Sequence, residues 1–170
     1  GNQVNYQAVG SGAGVRQYKA GTTDFGASDK AVSDKKLAGI SREMVQIPMT
    51  GGAIAVAYNK PGCDLKLSQI ELTKVFYGRI GNWSELGCAA GPITVAVRSD
   101  GSGTTAGFTN SLSAFSPYWA YKVGRGKSVA WPAAGTVAGK GNSGVAGIIK
   151  NTEGAIGYLN YGYVVGGKFQ

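Results

Sequence analysis

The stretch RSDGSGTTAGF, Arg98–Phe108, gathers an arginine, an aspartate, glycines, serines and threonines in front of a segment that reads as a helix. Such a run is dense in hydrogen-bond donors. A helix N-terminus offers unpaired backbone N–H groups and the positive end of the helix dipole. Ser102 and Thr104 add hydroxyls, and glycine such as Gly103 brings the main chain close to a ligand. The Arg98 guanidinium is a planar fork that matches two oxygens at once, and Asp100 just beyond it can hold it in place. The chemistry this composition serves is recognition of an oxyanion. From the residues alone two plainer readings stay open. Asp100 or Ser102 can cap an ordinary turn, and Arg98 with Asp100 can be a surface ion pair worth ~0–1 kcal/mol. The loop is not a Walker A loop, because the Lys of that motif is missing, and GSGAG at 10–14 lacks the third glycine of a dinucleotide fingerprint.

Composition narrows the alternatives. The chain has no histidine, so neither a Ser–His–Asp nor a Cys–His nucleophile can be built from it alone. The nucleophile elbow G-x-S-x-G is absent as well. Net charge is +8, from 17 Lys and Arg against 9 Asp and Glu. Apart from Lys35-Lys36, with Arg42 following, the basic residues are scattered, which is a solvated surface and not the clustered face of a nucleic-acid binder. Cys63 and Cys88 are too few for structural zinc. In an exported protein they pair and close a loop of about 25 residues, worth ~3 kcal/mol; in a cytosolic one they are free thiols. No run of about 18 apolar residues spans a membrane. No signal-peptide pattern is present, as in a mature or cytosolic chain.

The elements that must position these residues follow from periodicity. Strands are expected at 2–9, 23–29, 43–49, 51–59 and 92–98 and within 116–132 and 154–165. The strand at 51–59 is apolar on both faces, which reads as a central one. Helices are expected at 15–21, after Ser33, at 68–78 with a Ser68/Glu71 capping box, from about 104 to 114, and after the glycine-rich turn 139–144. The alternation makes an α/β protein with a largely parallel sheet. A lobe boundary is expected near Gly51-Gly52. Three places share one pattern of strand, Gly/Ser/Thr turn and helix: 10–14, 101–105 and 139–144. Ligands of open α/β sheets sit at such carboxyl ends of strands. Trp83, Trp119, Trp131 and most tyrosines read as core; Tyr158, Tyr161 and Tyr163 lie along one strand region that could line a cleft mouth.

The runs NYQAVGSGAGVRQYKAGTTDFGASD, QIPMTGGAIAVAYN, LTKVFYGRIGNW, RSDGSGTT, GKGNSGVAG and GAIGYLNY, in this order, resemble the periplasmic phosphate-binding proteins of ABC phosphate importers, the PstS family. The resemblance covers nearly the whole chain. It implies a two-lobed periplasmic-binding-protein fold of type II, with 1–50 as part of lobe one and 51–170 as most of lobe two, the crossover lying near 48–58. Family members extend further at both ends, so the sequence reads as an interior piece whose remainder is another segment or a second chain. For the site, the resemblance implies that Ser11, Arg98, Ser102, Gly103 and Thr104 donate to phosphate. Asp29 accepts a hydrogen bond from it, and Asp100 steadies Arg98. It also implies an extracytoplasmic setting, in which Cys63 and Cys88 fall in the paired case, and a membrane ABC permease as partner.

Asp29 has a physical logic in that scheme. A carboxylate beside an anion is favourable only if the ligand brings a proton. Phosphate near neutral pH does and sulfate does not, so a buried Asp29 would reject sulfate at a cost of several kcal/mol. The function expected is high-affinity phosphate capture between lobes, with no catalysis and no cofactor. The alternatives are a phosphate-ester hydrolase, which the lack of histidine and of a carboxylate cluster for two metals disfavours, and a binding or adhesive protein that uses the fold without transport.

Overall fold

A computed structural model describes residues 3–167. Two short helices come first, α1 (Gly10–Lys19) and α2 (Asp34–Leu37), followed by β1 (Ile54–Asn59) and α3 (Gln69–Tyr77). A single 3₁₀ turn at Trp83–Leu86 leads to β2 (Thr94–Arg98), α4 (Gly103–Phe115) and α5 (Pro117–Lys122). The chain ends with β3 (Val137–Gly139), α6 (Gly141–Asn151), β4 (Ala155–Asn160) and α7 (Tyr161–Gly167). The strands form one sheet in the order β1-β4-β2-β3. β2 runs parallel to both neighbours, and β1 is antiparallel to β4.

Period-two alternation divides the core between the two faces of that sheet. Val95 and Val97 of β2, with Ile156 and Tyr158 of β4, point to a cluster that includes Val75, Phe76, Phe108, Leu112 and Trp119 from α3, α4 and α5. Ala57, Ala96 and Leu159 point the other way, onto Val145 and Ile149 of α6. Helices thus cover both faces, and the strands beneath read as near-continuous apolar runs. α3 starts on the expected capping box, with Ser68 Oγ accepting from Glu71 N–H and the Glu71 carboxylate accepting from Ser68 N–H. It stops at Gly78, which is left-handed. Cys63 and Cys88 form the disulfide.

Several expectations fail for identifiable reasons. β1 lies at the sheet edge, and the central strands are β4 and β2. β1 is apolar on both faces because Ala57 faces α6, with α7 beside it, while Val56 and Tyr58 pack on the cluster beneath α3, α4 and α5. The stretches 3–9, 23–29 and 43–49 are not strands, and residue 2 of the first lies outside the described residues. A strand exists only through its ladder, and no described strand pairs with these stretches. Their alternating apolar side chains, Val4 and Tyr6, then Val45, Ile47 and Met49, are exposed. No strand forms within 123–132 either. At 154–165 the strand ends at Asn160 and α7 takes over, so Tyr161 and Tyr163 are helical and only Tyr158 is in the sheet. The tryptophans do belong to the core, with Trp83 and Trp119 fully buried. The tyrosines do not follow: Tyr6, Tyr118, Tyr121, Tyr161 and Tyr163 are exposed.

Candidate functional site

The end of β2 and the start of α4 build one half of the site. Ser102 is the N-cap, extended in backbone and fully buried, and its Oγ accepts from Thr105 N–H at 3.0 Å. Its carbonyl takes Ala106 N–H, and its own N–H is spent on the Lys127 carbonyl at 2.9 Å. The helix therefore presents the N–H groups of Gly103 and Thr104, which no i−4 carbonyl can satisfy. The Ser102 hydroxyl hydrogen remains free to donate.

Arg98, whose side chain is 5% exposed, meets Asp100 side-on, Nε to Oδ1 at 2.7 Å and Nη2 to Oδ2 at 2.5 Å. This fork uses two of five N–H groups and leaves three. Asp100 Oδ1 also accepts from Gly141 N–H at 3.0 Å, the first residue of α6. Arg98 first, and that backbone N–H second, hold the Asp100 carboxyl below its ordinary range against the opposing effect of burial. The third glycine-rich turn thus spends this donor on the aspartate that orients Arg98.

The other half comes from α1 and the loop after it. Ser11, in the first turn of α1, is buried, and its Oγ accepts from Asp29 N–H at 3.1 Å. Gly12 N–H donates to the Gly101 carbonyl at 2.7 Å, which joins α1 to the loop before α4. Two glycines make the approach possible. Gly10 has φ of +79°, and a Cβ there would collide with Asp100 Oδ2 and sit 3.2 Å from Arg98 Nη2. A Cβ on Gly103 would come 2.5 Å from Ser11 Oγ and 2.7 Å from Asp29 Oδ2.

Ser11, Asp29, Gly103 and, across Gly10, the Arg98–Asp100 pair are therefore gathered at one place, with Ser102 and Thr104 on the adjoining helix turn. What differs is Asp29, which is exposed and not buried. Two further residues act in this region, one expected in another role and one not expected at all. Tyr158 is fully buried, accepts from Arg98 N–H at 3.2 Å and shares a hydrogen with Thr105 Oγ1 at 2.6 Å. It fixes the end of β2 to the start of α4 instead of lining a cleft mouth. Desolvation pushes its phenol upward, so it stays neutral and can serve both partners. The one signal for it was a tyrosine in an otherwise apolar strand, whose hydroxyl must find a partner when buried. Lys127, the second, lay in a stretch that reads as strand and carries no anion-binding motif.

Residues 1–167 match the PBP superfamily domain, and the chain belongs to that superfamily. Among curated proteins it is 44% identical to the phosphate-binding protein PstS of Haemophilus influenzae over 96% of this chain and 51% of that protein. It is 41% identical to the PstS of Xylella fastidiosa strain Temecula1 over 99% of this chain and 48% of that protein. The chain thus spans about half the length of the curated relatives it matches. A solved structure of a high-affinity periplasmic phosphate-binding protein, bound with phosphate, aligns with a TM-score of 0.74 at 30% identity. That alignment covers 89% of this chain and 48% of the other. No helix among the described residues is long and apolar enough to cross a membrane.

Proposed function

We propose that this chain carries the greater part of an inorganic-phosphate site in an extracytoplasmic solute-binding protein that delivers its ligand to a membrane ABC permease. The observation that carries the reading is the contact at Gly103. It puts the Ser11 hydroxyl and the Asp29 carboxylate against a helix N-terminus flanked by a pre-oriented arginine. Ser11, Ser102, Gly103, Thr104 and Arg98 supply donors, and Asp29 supplies the single acceptor. That set fits an oxyanion that still bears a proton. Dispersed backbone dipoles and one guanidinium balance the charge, with no counter-cation required. In this reading the task of the site is capture and release of the anion, not its chemical conversion.

In this reading residues 1–50 belong to lobe one and 51–170 to lobe two, and a segment outside these residues completes the first lobe. Asp29 becomes desolvated on closure over the ligand, which is the state in which it discriminates against sulfate. Binding favours the closed arrangement because donors from both lobes meet one ligand. The test is Arg98→Ala. The account expects phosphate affinity to fall at least about thirtyfold, as for other truncations of a buried charged donor. An affinity equal to the parent's would remove Arg98 from the site.

A further inference from the structure

Lys127 links the two halves of the site. Its carbonyl accepts the Ser102 N–H at 2.9 Å. Its neighbours are tied to α4 and α5 as well. Gly126 N–H donates to Thr109 Oγ1 at 3.1 Å, Arg125 Nη1 to Asn110 Oδ1 at 3.0 Å, and Trp119 Nε1 to the Gly124 carbonyl at 2.9 Å. The backbone of residue 127 is therefore a fixed extension of the α4 N-terminus. From it the ammonium reaches over to the other half, donating to Ser28 Oγ at 3.0 Å and to the Ser11 carbonyl at 3.4 Å. Both acceptors are next to, or part of, the residues assigned to the ligand, Ser11 and Asp29.

The charged surroundings fit a clamp. Burial, and then Lys36 and Lys30, disfavour the Lys127 charge, whereas Asp29 favours it. Two lysines of the first fifty residues therefore oppose this third cation, and the hydrogen bonds to Ser28 and Ser11, with the charge of Asp29 nearby, hold it in place. No motif in the sequence marks it, and the surrounding stretch GRGKSVAWP reads as part of a strand that does not form.

We propose that Lys127 is a positioning residue. It clamps the segment bearing Ser11 and Asp29 onto the α4 N-terminus, and thereby sets how tightly the two halves grip the anion. The second clause rests on the phosphate reading, and the first does not. The experiment takes the full chain as parent, Lys127→Met and Lys127→Arg. Amide hydrogen exchange is followed without ligand at Asp29, whose N–H is held by Ser11, and at Gly12, whose N–H is held by Gly101. Inorganic phosphate is then titrated into all three.

The expected result is exchange at both amides at least several-fold faster in Lys127→Met, with amides of β2 and β4 unchanged. Phosphate affinity should fall about tenfold in the same variant, and Lys127→Arg should recover most of both. Parental exchange at Asp29 and Gly12 in Lys127→Met overturns the clamp. Uniformly faster exchange through β2 and β4 also overturns it, because it marks a general loss of stability. A parent that binds phosphate no better than Lys127→Met does overturns its bearing on affinity. If the parent itself leaves phosphate unbound, the phosphate reading falls, while selective acceleration at the two amides still upholds the clamp.

Discussion

At the scale of the residue, the site depends on atoms that are absent as much as on those present. Gly103 adopts ordinary helical geometry, so alanine there costs nothing in backbone strain and gains helix propensity. Its Cβ would nonetheless press on Ser11 Oγ and Asp29. Gly103→Ala is thus expected to push the Ser11 and Asp29 segment off the α4 N-terminus with the β2–β4 core still folded, and to weaken phosphate binding about ten- to hundredfold, the loss expected when one or two charge-assisted hydrogen bonds go unmade. Calorimetry reads the affinity, and a thermal melt checks that the core is folded. Asp100 gives a second prediction. Its carboxyl is held down chiefly by Arg98, so the stability it contributes is full above its unfolded value of about 3.9 and is lost as pH falls through the lower folded value. Urea unfolding of parent and Asp100→Asn should show a deficit in the variant at neutral pH that shrinks once the pH drops below about 4. A deficit of constant size across that range would mean that the Arg98 pair is not its source.

Among the elements, local signals were legible wherever the local chemistry closes on itself. The Ser68/Glu71 capping box starts α3 where the sequence places it. Ser102 caps α4, and the RSDGSGT run lies at the strand-to-helix junction its composition suggests. Partner-dependent structure was not legible. Val45, Ile47 and Met49 alternate as a strand does, yet a strand needs a ladder and these residues have none among those described. Tyr158 looked like one of three tyrosines on a common strand; its role depends on Arg98 and Thr105, distant in sequence. The disulfide is an element-level constraint of the same kind. It joins the loop after β1 to the segment after the 3₁₀ turn, across 25 residues. Replacing both cysteines by alanine is expected to lower the unfolding free energy by about 3 kcal/mol, read as a lower urea midpoint. An unchanged midpoint would mean that packing around Trp83 already fixes the loop.

For the molecule as a whole, the α/β class followed from the alternation of elements, and the superfamily from motifs spread in order along the chain. The strand order did not. β1 is apolar on both faces like a central strand, because helices cover both of its faces even at the sheet edge, and only the packed structure distinguishes the two cases. The strand–turn–helix pattern was legible at 101–105 and 139–144 but fails at 10–14, which is the start of α1 with no strand before it among the described residues. The division of labour among the three stretches was not legible: two of them face one another across Gly12 and Gly101, and the third donates to Asp100.

The most direct test of the account is calorimetric titration of inorganic phosphate, with sulfate in parallel, into the 170-residue chain. The account predicts saturable one-to-one binding of phosphate and no heat of binding from sulfate at the same concentrations. A folded chain that binds sulfate as well as phosphate would contradict the role given to Asp29, and one that binds neither would contradict the assignment of the site to these residues.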